Sequence, residues 1–423
     1  MSINRRNFIR SSAAAMAGSF FYKSDLLAGL DTGSGSNMIA NTDDEQWWHF
    51  LKSQFSLEEG LYYFNNGSLG PSPEYVIDKT ENYRRTLDSF PSKYMWGGWN
   101  EDKERVRTRV SEYFGVNSEE IALIHNTSEG MNLFARSFKL RPGDEIILAN
   151  HEHRTGVAPY EYFCKPLGVR IVRPELPLVP SSPDEIVDAY RKAISSKTRL
   201  ISMVHMTNTN GMILPVKEIS SLAHEKDIIV CIDGAQAVGM IDFSISDLAC
   251  DFYAASGHKW LFGPKGTGIL FAGKNKQEML QPLMVSSTWD EMNIRMFEDY
   301  NTRNLPEVLG LGASIDFNNM IGKQRKQSRI YSLKKYFREQ VEDDRRFVIK
   351  TPQADCLSAG IQAVEVAGKE VAEARDYLFS NHNIDCRPMF SHGLNALRIS
   401  LSVFNTKDDI DYLVGSLRKF ADT

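Results

Sequence analysis

Two kinds of segment alternate along most of the chain. Short apolar runs of strand length occur at residues 121–124, 145–149, 200–204, 228–232, 252–255 and 268–271. Between them, amphipathic stretches with a helical period occur at residues 129–138, 184–195 and 216–226. Because strands that alternate with helices form parallel sheets covered on both faces, the pattern predicts an α/β fold with a mostly parallel sheet.

The pattern changes near residue 306. A long charged helix is predicted over 322–342, followed by short strands and a last helix over 407–420, which indicates a smaller C-terminal α/β domain. A chain of 423 residues is long enough for two domains. We therefore predict a leader and linker (1–40), an N-terminal segment that packs on the small domain (41–75), a large domain (76–305) and a small domain (306–423).

Composition excludes several classes of protein. Hydrophobic residues make up 42% of the chain and charged residues 24%, as in ordinary soluble domains, and the net charge of -5 gives no electrostatic argument for a nucleic-acid partner. No apolar run reaches the roughly 20 residues that a stable membrane span requires. No metal is expected, because His151 and His153 lack a third ligand at useful spacing. The cysteines are far apart, without CxxC or metal-ligand spacing: Cys164, Cys231, Cys250, Cys356 and Cys386.

The first thirty residues differ from the rest. Arg5 and Arg6 lie in the run Asn-Arg-Arg-Asn-Phe-Ile-Arg, and a weakly apolar, Ala-rich stretch follows at 12–21. This pattern resembles a twin-arginine export signal, and it predicts that the export machinery of that route delivers the protein to the periplasm or otherwise outside the cytoplasm. The alternative is a disordered basic start.

Candidate chemistry lies where predicted strands end, which is where open α/β sheets bind ligands. Asp233 ends the strand at 228–232, and its carboxylate can pair with a protonated pyridine nitrogen, while Gln236 can reach a ring hydroxyl. Alone, such an aspartate is usually a turn or cap residue. The next strand ends in Ser256-Gly257-His258-Lys259, where the lysine can form an imine with an aldehyde cofactor. Ser256 and His258 can hold a phosphate.

Other strand ends add to the same chemistry. Thr127 and Ser128 open a helix, whose N-terminus attracts anions, so both are phosphate candidates as well as ordinary N-caps. His153 follows the strand at 145–149 and can stack on a pyridine ring, and Asn208 follows the strand at 200–204 and could contact the ring hydroxyl and the substrate. In the small domain, Arg387 and Arg398 can each bind a carboxylate through two hydrogen bonds, although either arginine alone could simply form a surface ion pair.

Together these residues resemble the class V aminotransferase family, which includes cysteine desulfurases, isopenicillin N epimerase and kynureninase. The resemblance runs from about residue 62 to the end. Residues 63–70, Tyr-Phe-Asn-Asn-Gly-Ser-Leu-Gly, are similar to the first segment of the epimerase and kynureninase branches. The resemblance implies pyridoxal 5'-phosphate (PLP) as cofactor, PLP fold type I, and a homodimer with shared active sites.

The resemblance also implies a role for each matching residue. Lys259 would be the Schiff-base lysine, Asp233 the partner of the pyridine nitrogen, His153 the stacking residue and Thr302 a contact to the neighbouring subunit's phosphate. The remaining implied roles are ring-hydroxyl contact, phosphate anchors and substrate contacts: Gln236, Ser128, Ser256, His258, Asn208, Arg387 and Arg398.

One departure bears on the reaction. Desulfurases of this family carry a persulfide-forming cysteine in the loop between the two C-terminal arginines, and the loop here, 388–396, has none. Desulfuration is therefore disfavoured. The sequence predicts an exported PLP enzyme that acts on the amino group of an amino acid, peptide or secondary metabolite by aminotransferase-type or epimerase chemistry. The alternatives are a carbon–sulfur lyase or desulfurase-like enzyme, and a non-catalytic binding protein that keeps the fold.

Overall fold

The structure, a computed structural model, describes residues 45–423. The predicted export signal and linker therefore lie outside the described residues. The strands are β1 (Tyr62–Tyr63), β2 (Ile121–Ile124), β3 (Glu145–Ile147), β4 (Arg170–Val172), β5 (Thr198–Val204), β6 (Ile229–Asp233), β7 (Phe252–Ser256), β8 (Gly268–Ala272), β9 (Phe347–Ile349), β10 (Ile361–Val366), β11 (Ile384–Asp385), β12 (Arg387–Met389) and β13 (Ala396–Ser400).

Helices separate many of these strands along the chain. They are α1 (Glu45–Lys52), α2 (Glu74–Ser89), α3 (Pro91–Lys93), α4 (Asn100–Phe114), α5 (Thr127–Ser137), α6 (Arg154–Phe163), α7 (Pro183–Ala193), α8 (Val216–His224), α9 (Leu305–Ile321), α10 (Lys323–Val341), α11 (Val371–His382) and α12 (Lys407–Ala421). Within residues 45–423, no helix is both long and apolar enough to cross a bilayer.

The larger sheet has the strand order β2-β8-β7-β6-β5-β3-β4. Strand β8 is antiparallel to both of its neighbours, and the remaining pairs are parallel. The prediction of a mostly parallel α/β sheet is thus confirmed. Strand β4 was not predicted, because its three partly exposed residues at the sheet edge give no apolar run.

Successive residues of the central strands pack into two different cores. Leu200, Cys231 and Phe252 belong to the cluster on one face of the sheet. Their neighbours Ile201 and Ile232 belong to the cluster on the other face. This follows from the two-residue period of a strand, and it explains why these strands are continuous apolar runs in the sequence.

A second, antiparallel sheet has the strand order β12-β13-β10-β9. The N-terminal segment joins this half of the molecule, because β1 pairs with β11 and Asn65 forms a bridge with Ser400. Helix α9 packs against α2 and α4, although it begins next to the predicted boundary at residue 306. The domain limits themselves stay predictions.

Candidate functional site

The carboxyl ends of the parallel strands meet at one edge of the larger sheet, as the register of Val204, Asp233 and Ala254 shows. A cavity of about 170 Å³ lies there. It is lined by Asn126, Thr127, Ser128, His153, Thr155, Val204, Met206, Asn208, Asp233, Ala235, Gln236, Ser256, His258 and Lys259. The fold thus brings together every residue that we predicted to bind the cofactor, with the exception of Thr302.

The start of helix α5 forms one end of the cavity. Asn126 caps this helix, since its side chain accepts a hydrogen bond from the amide of Glu129 at 3.0 Å. Thr127 and Ser128 are therefore not the cap. The amide and hydroxyl of Thr127 lie 3.0 and 2.9 Å from the Ser256 hydroxyl. A helix N-terminus bordered by hydroxyl groups attracts an anion such as a phosphate.

Asp233 contributes a buried carboxylate that forms no salt bridge within residues 45–423, although the charge of Lys259 interacts with it at longer range. Its side chain is 5% exposed and accepts a hydrogen bond from the amide of Ala235 at 2.9 Å. Across residues 45–423, no arginine, lysine or histidine forms a salt bridge with it. Burying an unpaired charge is costly, so this position suits a ligand that brings a positive charge, such as a protonated pyridine nitrogen.

Lys259 faces the same cavity. Burial lowers the pKa of its amine to about 8, and the nearby charges of Arg398 and Arg387 act in the same direction, whereas Asp233 opposes the shift. A lysine with a lowered pKa holds more of its amine in the neutral form, and this fraction rises as pH rises through about 8. The turn that carries Lys259 is packed tightly: the Gly70 amide donates to the His258 carbonyl, and a Cβ on Gly70 would overlap the Lys259 carbonyl oxygen.

His153 has a structural function as well as a place in the cavity. It is the N-cap of α6: its Nδ1 accepts from the Thr155 amide at 3.3 Å and lies 2.7 Å from the Thr155 hydroxyl. Burial lowers the pKa of its imidazole, and the charge of Lys259 adds to this effect. A neutral ring that is held at one nitrogen suits contact with a flat aromatic ligand.

The two C-terminal arginines are register partners on β12 and β13. Arg398 is 2% exposed and donates to the Asn208 carbonyl at 3.0 Å, to Asn65 Oδ1 at 3.1 Å and to the Ser68 hydroxyl at 2.5 Å. Arg387 is exposed and donates to the same hydroxyl at 3.2 Å. Burial lowers the pKa of Arg398 to about 9, and the Arg387 charge contributes. In the described part of the chain neither guanidinium has a carboxylate partner, so both remain able to bind an anion.

Thr302 lies apart from these residues. It is exposed and does not line the cavity of its own chain. Its loop is anchored by Glu298, which accepts two hydrogen bonds of 2.8 Å from Arg107. The contact between Thr302 and a neighbouring subunit's cofactor stays a prediction.

Several residues of the site were not predicted from the sequence. Asn65 and Ser68 hold Arg398, yet they precede it by more than 300 residues, and only the resemblance of segment 63–70 pointed to them. Thr155 could have been found as the partner of a helix-capping His153. Val204, Met206 and Ala235 line the cavity without any sequence signal of their own. Among residues 45–423, no group of three or more His, Cys, Asp or Glu side chains is arranged to hold a metal.

Within residues 45–423, fold and cavity together bring a lysine, a buried aspartate without a salt bridge and a helix N-terminus to the ends of parallel strands. The chain belongs to the aminotransferase class-V family, whose sequence profile matches residues 61–413. This family uses pyridoxal 5'-phosphate, and the fold is PLP fold type I.

Individual relatives show the breadth of the family. The chain is 29% identical over 393 residues to isopenicillin N epimerase from Amycolatopsis lactamdurans. The alignment covers 88% of this chain and 98% of the relative. It is also 29% identical over 384 residues to a probable cysteine desulfurase from Halalkalibacterium halodurans, with 85% and 93% covered. The crystal structure of a cysteine desulfurase from Escherichia coli has a similar fold, with a TM-score of 0.76, 23% identity, and 87% of this chain and 97% of that chain covered.

Proposed function

We propose that this chain acts on the amino group of an amino acid, peptide or secondary metabolite that carries a carboxylate, by aminotransferase-type or epimerase chemistry. The observation that carries the proposal is Arg398, a buried guanidinium that has no carboxylate partner among the described residues. It donates to the carbonyl oxygen of Asn208, which lines the cavity of Lys259. A substrate carboxylate would supply the missing negative charge.

The residues of the cavity fit the family's cofactor. When bound, pyridoxal 5'-phosphate supplies an aldehyde that captures amines and a ring that withdraws electrons from the neighbouring carbon. Asp233 and Gln236 would hold its ring, and His153 would lie against the face of the ring. The phosphate would be held by Thr127, Ser128, Ser256 and His258. Burial lowers the pKa of His258 to about 4, so this ring would contribute a hydrogen bond rather than a charge.

Lys259 and Arg398 would have different roles: proton transfer and orientation of the substrate. The Lys259 amine, once neutral, can take a proton from the carbon that bears the amino group and return it. Arg398 fixes the carboxylate on that carbon and so sets the orientation of its bonds toward the cavity. Protonation of the same carbon on its opposite face, by a donor other than Lys259, would give epimerisation. Movement of the proton to a different carbon, followed by hydrolysis with water, would release a keto acid and leave the amino group on the cofactor for transfer to an acceptor keto acid.

The thiols of the chain disfavour desulfuration. The loop 388–396 between the arginines contains no cysteine. Cys386, just before it, is buried, and burial raises the pKa of its thiol to about 12. Cys356 is exposed but is not among the residues that line the cavity. We therefore do not propose carbon–sulfur lyase activity, and the test below would detect it.

The proposal is tested by incubating the purified, cofactor-loaded protein with candidate amino donors in deuterated water. Amino-group transfer releases a keto acid, whereas epimerisation releases none and introduces deuterium with inversion. Either result supports the proposal. Two outcomes with cysteine, without reaction of other donors, would contradict it: alanine together with sulfur that added dithiothreitol reduces to sulfide, or pyruvate together with ammonia and sulfide.

Arg398→Lys is expected to lower kcat/KM by about 10- to 100-fold, because lysine keeps the charge but loses the planar fork that grips a carboxylate. Cofactor binding should stay close to wild type, and Tm should fall, because lysine cannot keep all three hydrogen bonds of the buried guanidinium. Arg107→Lys is the matched control: Arg107 is a buried arginine that is paired with Glu298, and its substitution should lower Tm but leave kcat/KM per folded site unchanged. Full activity of a stable Arg398→Lys protein would rule out the carboxylate grip.

We further propose that the protein is exported in folded form through the twin-arginine route and that it forms a homodimer, with Thr302 directed to the partner's cofactor. The pattern around Arg5 and Arg6 supports export, and the exposure of Thr302 is compatible with a contact across a subunit interface.

A reporter fused behind residues 1–40 should reach the periplasm in folded form, and Arg5→Lys combined with Arg6→Lys should block this delivery. The twin-arginine machinery requires the pair of arginines, which lysines do not replace. Arg10→Lys is the matched control, because it changes an arginine outside the pair. Unchanged delivery of the double variant would refute the export proposal.

A further inference from the structure

The side-chain amide of Gln236 is held at both ends. Its Oε1 accepts a hydrogen bond from the indole N–H of Trp260 at 2.9 Å, and its Nε2 donates to the carbonyl oxygen of Gly67 at 2.8 Å. An indole nitrogen only donates and a carbonyl oxygen only accepts, so the two partners impose the same orientation on the amide. Gln236 and Trp260 are both buried, which makes a reversed amide costly.

This orientation decides what Gln236 offers to the cavity that it lines. The amide nitrogen has two hydrogens, and Gly67 takes one of them. The second N–H is then the side chain's remaining donor, while its oxygen is turned toward Trp260. A reversed amide would offer an acceptor in place of this donor.

Trp260 itself has little freedom to move. Its indole is fully buried, and its main-chain carbonyl accepts a hydrogen bond from the side-chain amine of Lys326. The same amine donates to Asn318 Oδ1 at 2.6 Å, and Asn318 Nδ2 also donates to the carbonyl of Leu261 at 2.7 Å. Helices α9 and α10 thus fix the turn that carries the indole.

We propose that Trp260 is a positioning residue that acts through Gln236: it holds the amide so that an N–H, and not an oxygen, faces the ring oxygen of the cofactor. The inference rests on the proposed function, because it requires pyridoxal 5'-phosphate in this cavity. Trp260 does not itself line the cavity. A donor to the ring oxygen stabilises negative charge there, and this lowers the pH at which the bound cofactor titrates.

Trp260→Phe tests this role, since phenylalanine keeps an aromatic ring and removes only the indole N–H and part of the volume. The pH midpoint of the bound cofactor's visible absorbance should rise by about one unit, the size expected when one hydrogen bond to a charged group is lost. Trp99→Phe is the control, because Trp99 is a buried indole packed against Tyr83 and Tyr94 outside the cavity. Its midpoint should equal that of the wild type.

Gln236→Leu shows whether the effect passes through the amide. It should raise the midpoint by itself, and Trp260→Phe should add nothing in that background, because residues that act as a unit are not additive. The proposal is overturned if Trp260→Phe binds cofactor with an unchanged midpoint, or if its shift persists undiminished in the Gln236→Leu protein.

A second measurement needs no variant of Trp260 and no cofactor. In protein labelled with ¹⁵N at the indole positions, we expect that Gln236→Leu makes the proton of one indole N–H group exchange faster with solvent. Unchanged exchange rates for all indole protons would overturn the inference. A wild-type protein that fails to bind pyridoxal 5'-phosphate would instead contradict the proposed function, since exchange of the indole proton is measured independently.

Discussion

Replacing Lys259 with alanine should abolish covalent attachment of the cofactor and lower turnover by about 10²–10⁴-fold or more. Lys259 is the lysine of the cavity, and its lowered pKa makes a neutral amine available for both attachment and proton transfer. The start of α5, which we propose to hold the phosphate, is untouched by the substitution, so the cofactor should still bind reversibly. Borohydride reduction followed by dialysis measures the difference, because it fixes only cofactor that is bound through an imine.

Lys265→Ala is the matched control. This lysine lies six residues further along, and its ammonium donates to the hydroxyl of Ser72 at 3.1 Å. The variant should retain both the borohydride-fixed cofactor and activity. If Lys259→Ala still yielded a fixed adduct, a different lysine would hold the cofactor and the assignment of the site would fail.

Asp233→Asn should bind the cofactor yet lose turnover by about 10²–10³-fold, the range seen when one preorganised electrostatic contact is removed. The carboxylate is buried, accepts one hydrogen bond from the Ala235 amide and forms no salt bridge within residues 45–423, so it is available to keep a pyridine nitrogen protonated. Asparagine has nearly the same shape but no charge, and the ring would then withdraw electrons less effectively. Steady-state rates and a cofactor titration on the same preparation measure the two effects separately.

Asp251→Asn is the control that distinguishes the specific role of Asp233 in turnover from the general effect of losing a buried carboxylate. Asp251 is also 5% exposed, but it is paired with Lys276 at 3.1 Å and lies 3.1 Å from His224. Its substitution should lower Tm and leave turnover per folded site unchanged. A wild-type rate in Asp233→Asn would exclude an electrostatic role of this carboxylate in turnover.

The sequence was sufficient for six of the seven strands of the large sheet and for the polar residues at their ends, because both depend on local signals. Buried parallel strands are continuous apolar runs, and polar residues directly after them must lie at the same sheet edge. For this reason Ser128, His153, Asn208, Asp233 and Lys259, which are widely separated in the chain, could be predicted to lie together.

Contacts between distant segments could not be predicted from the sequence. The hydrogen bonds from Arg398 to Asn65 and Ser68 depend on how the N-terminal segment crosses onto the small sheet, and no periodic pattern encodes that path. The pairing of Trp260 with Gln236 likewise depends on the geometry of a turn. Strand β4 and the cap at Asn126 were missed because short edge strands and single capping residues give weak signals.

The central claim is that Lys259 holds the cofactor in a cavity built for amino-group chemistry. The most direct test is to load the wild-type protein with pyridoxal 5'-phosphate, reduce it with borohydride, digest it and locate the added mass by peptide mapping. We predict that the mass is found on the peptide that contains Lys259, at one cofactor for each chain. Added mass on any other lysine, or none at all, would contradict the account.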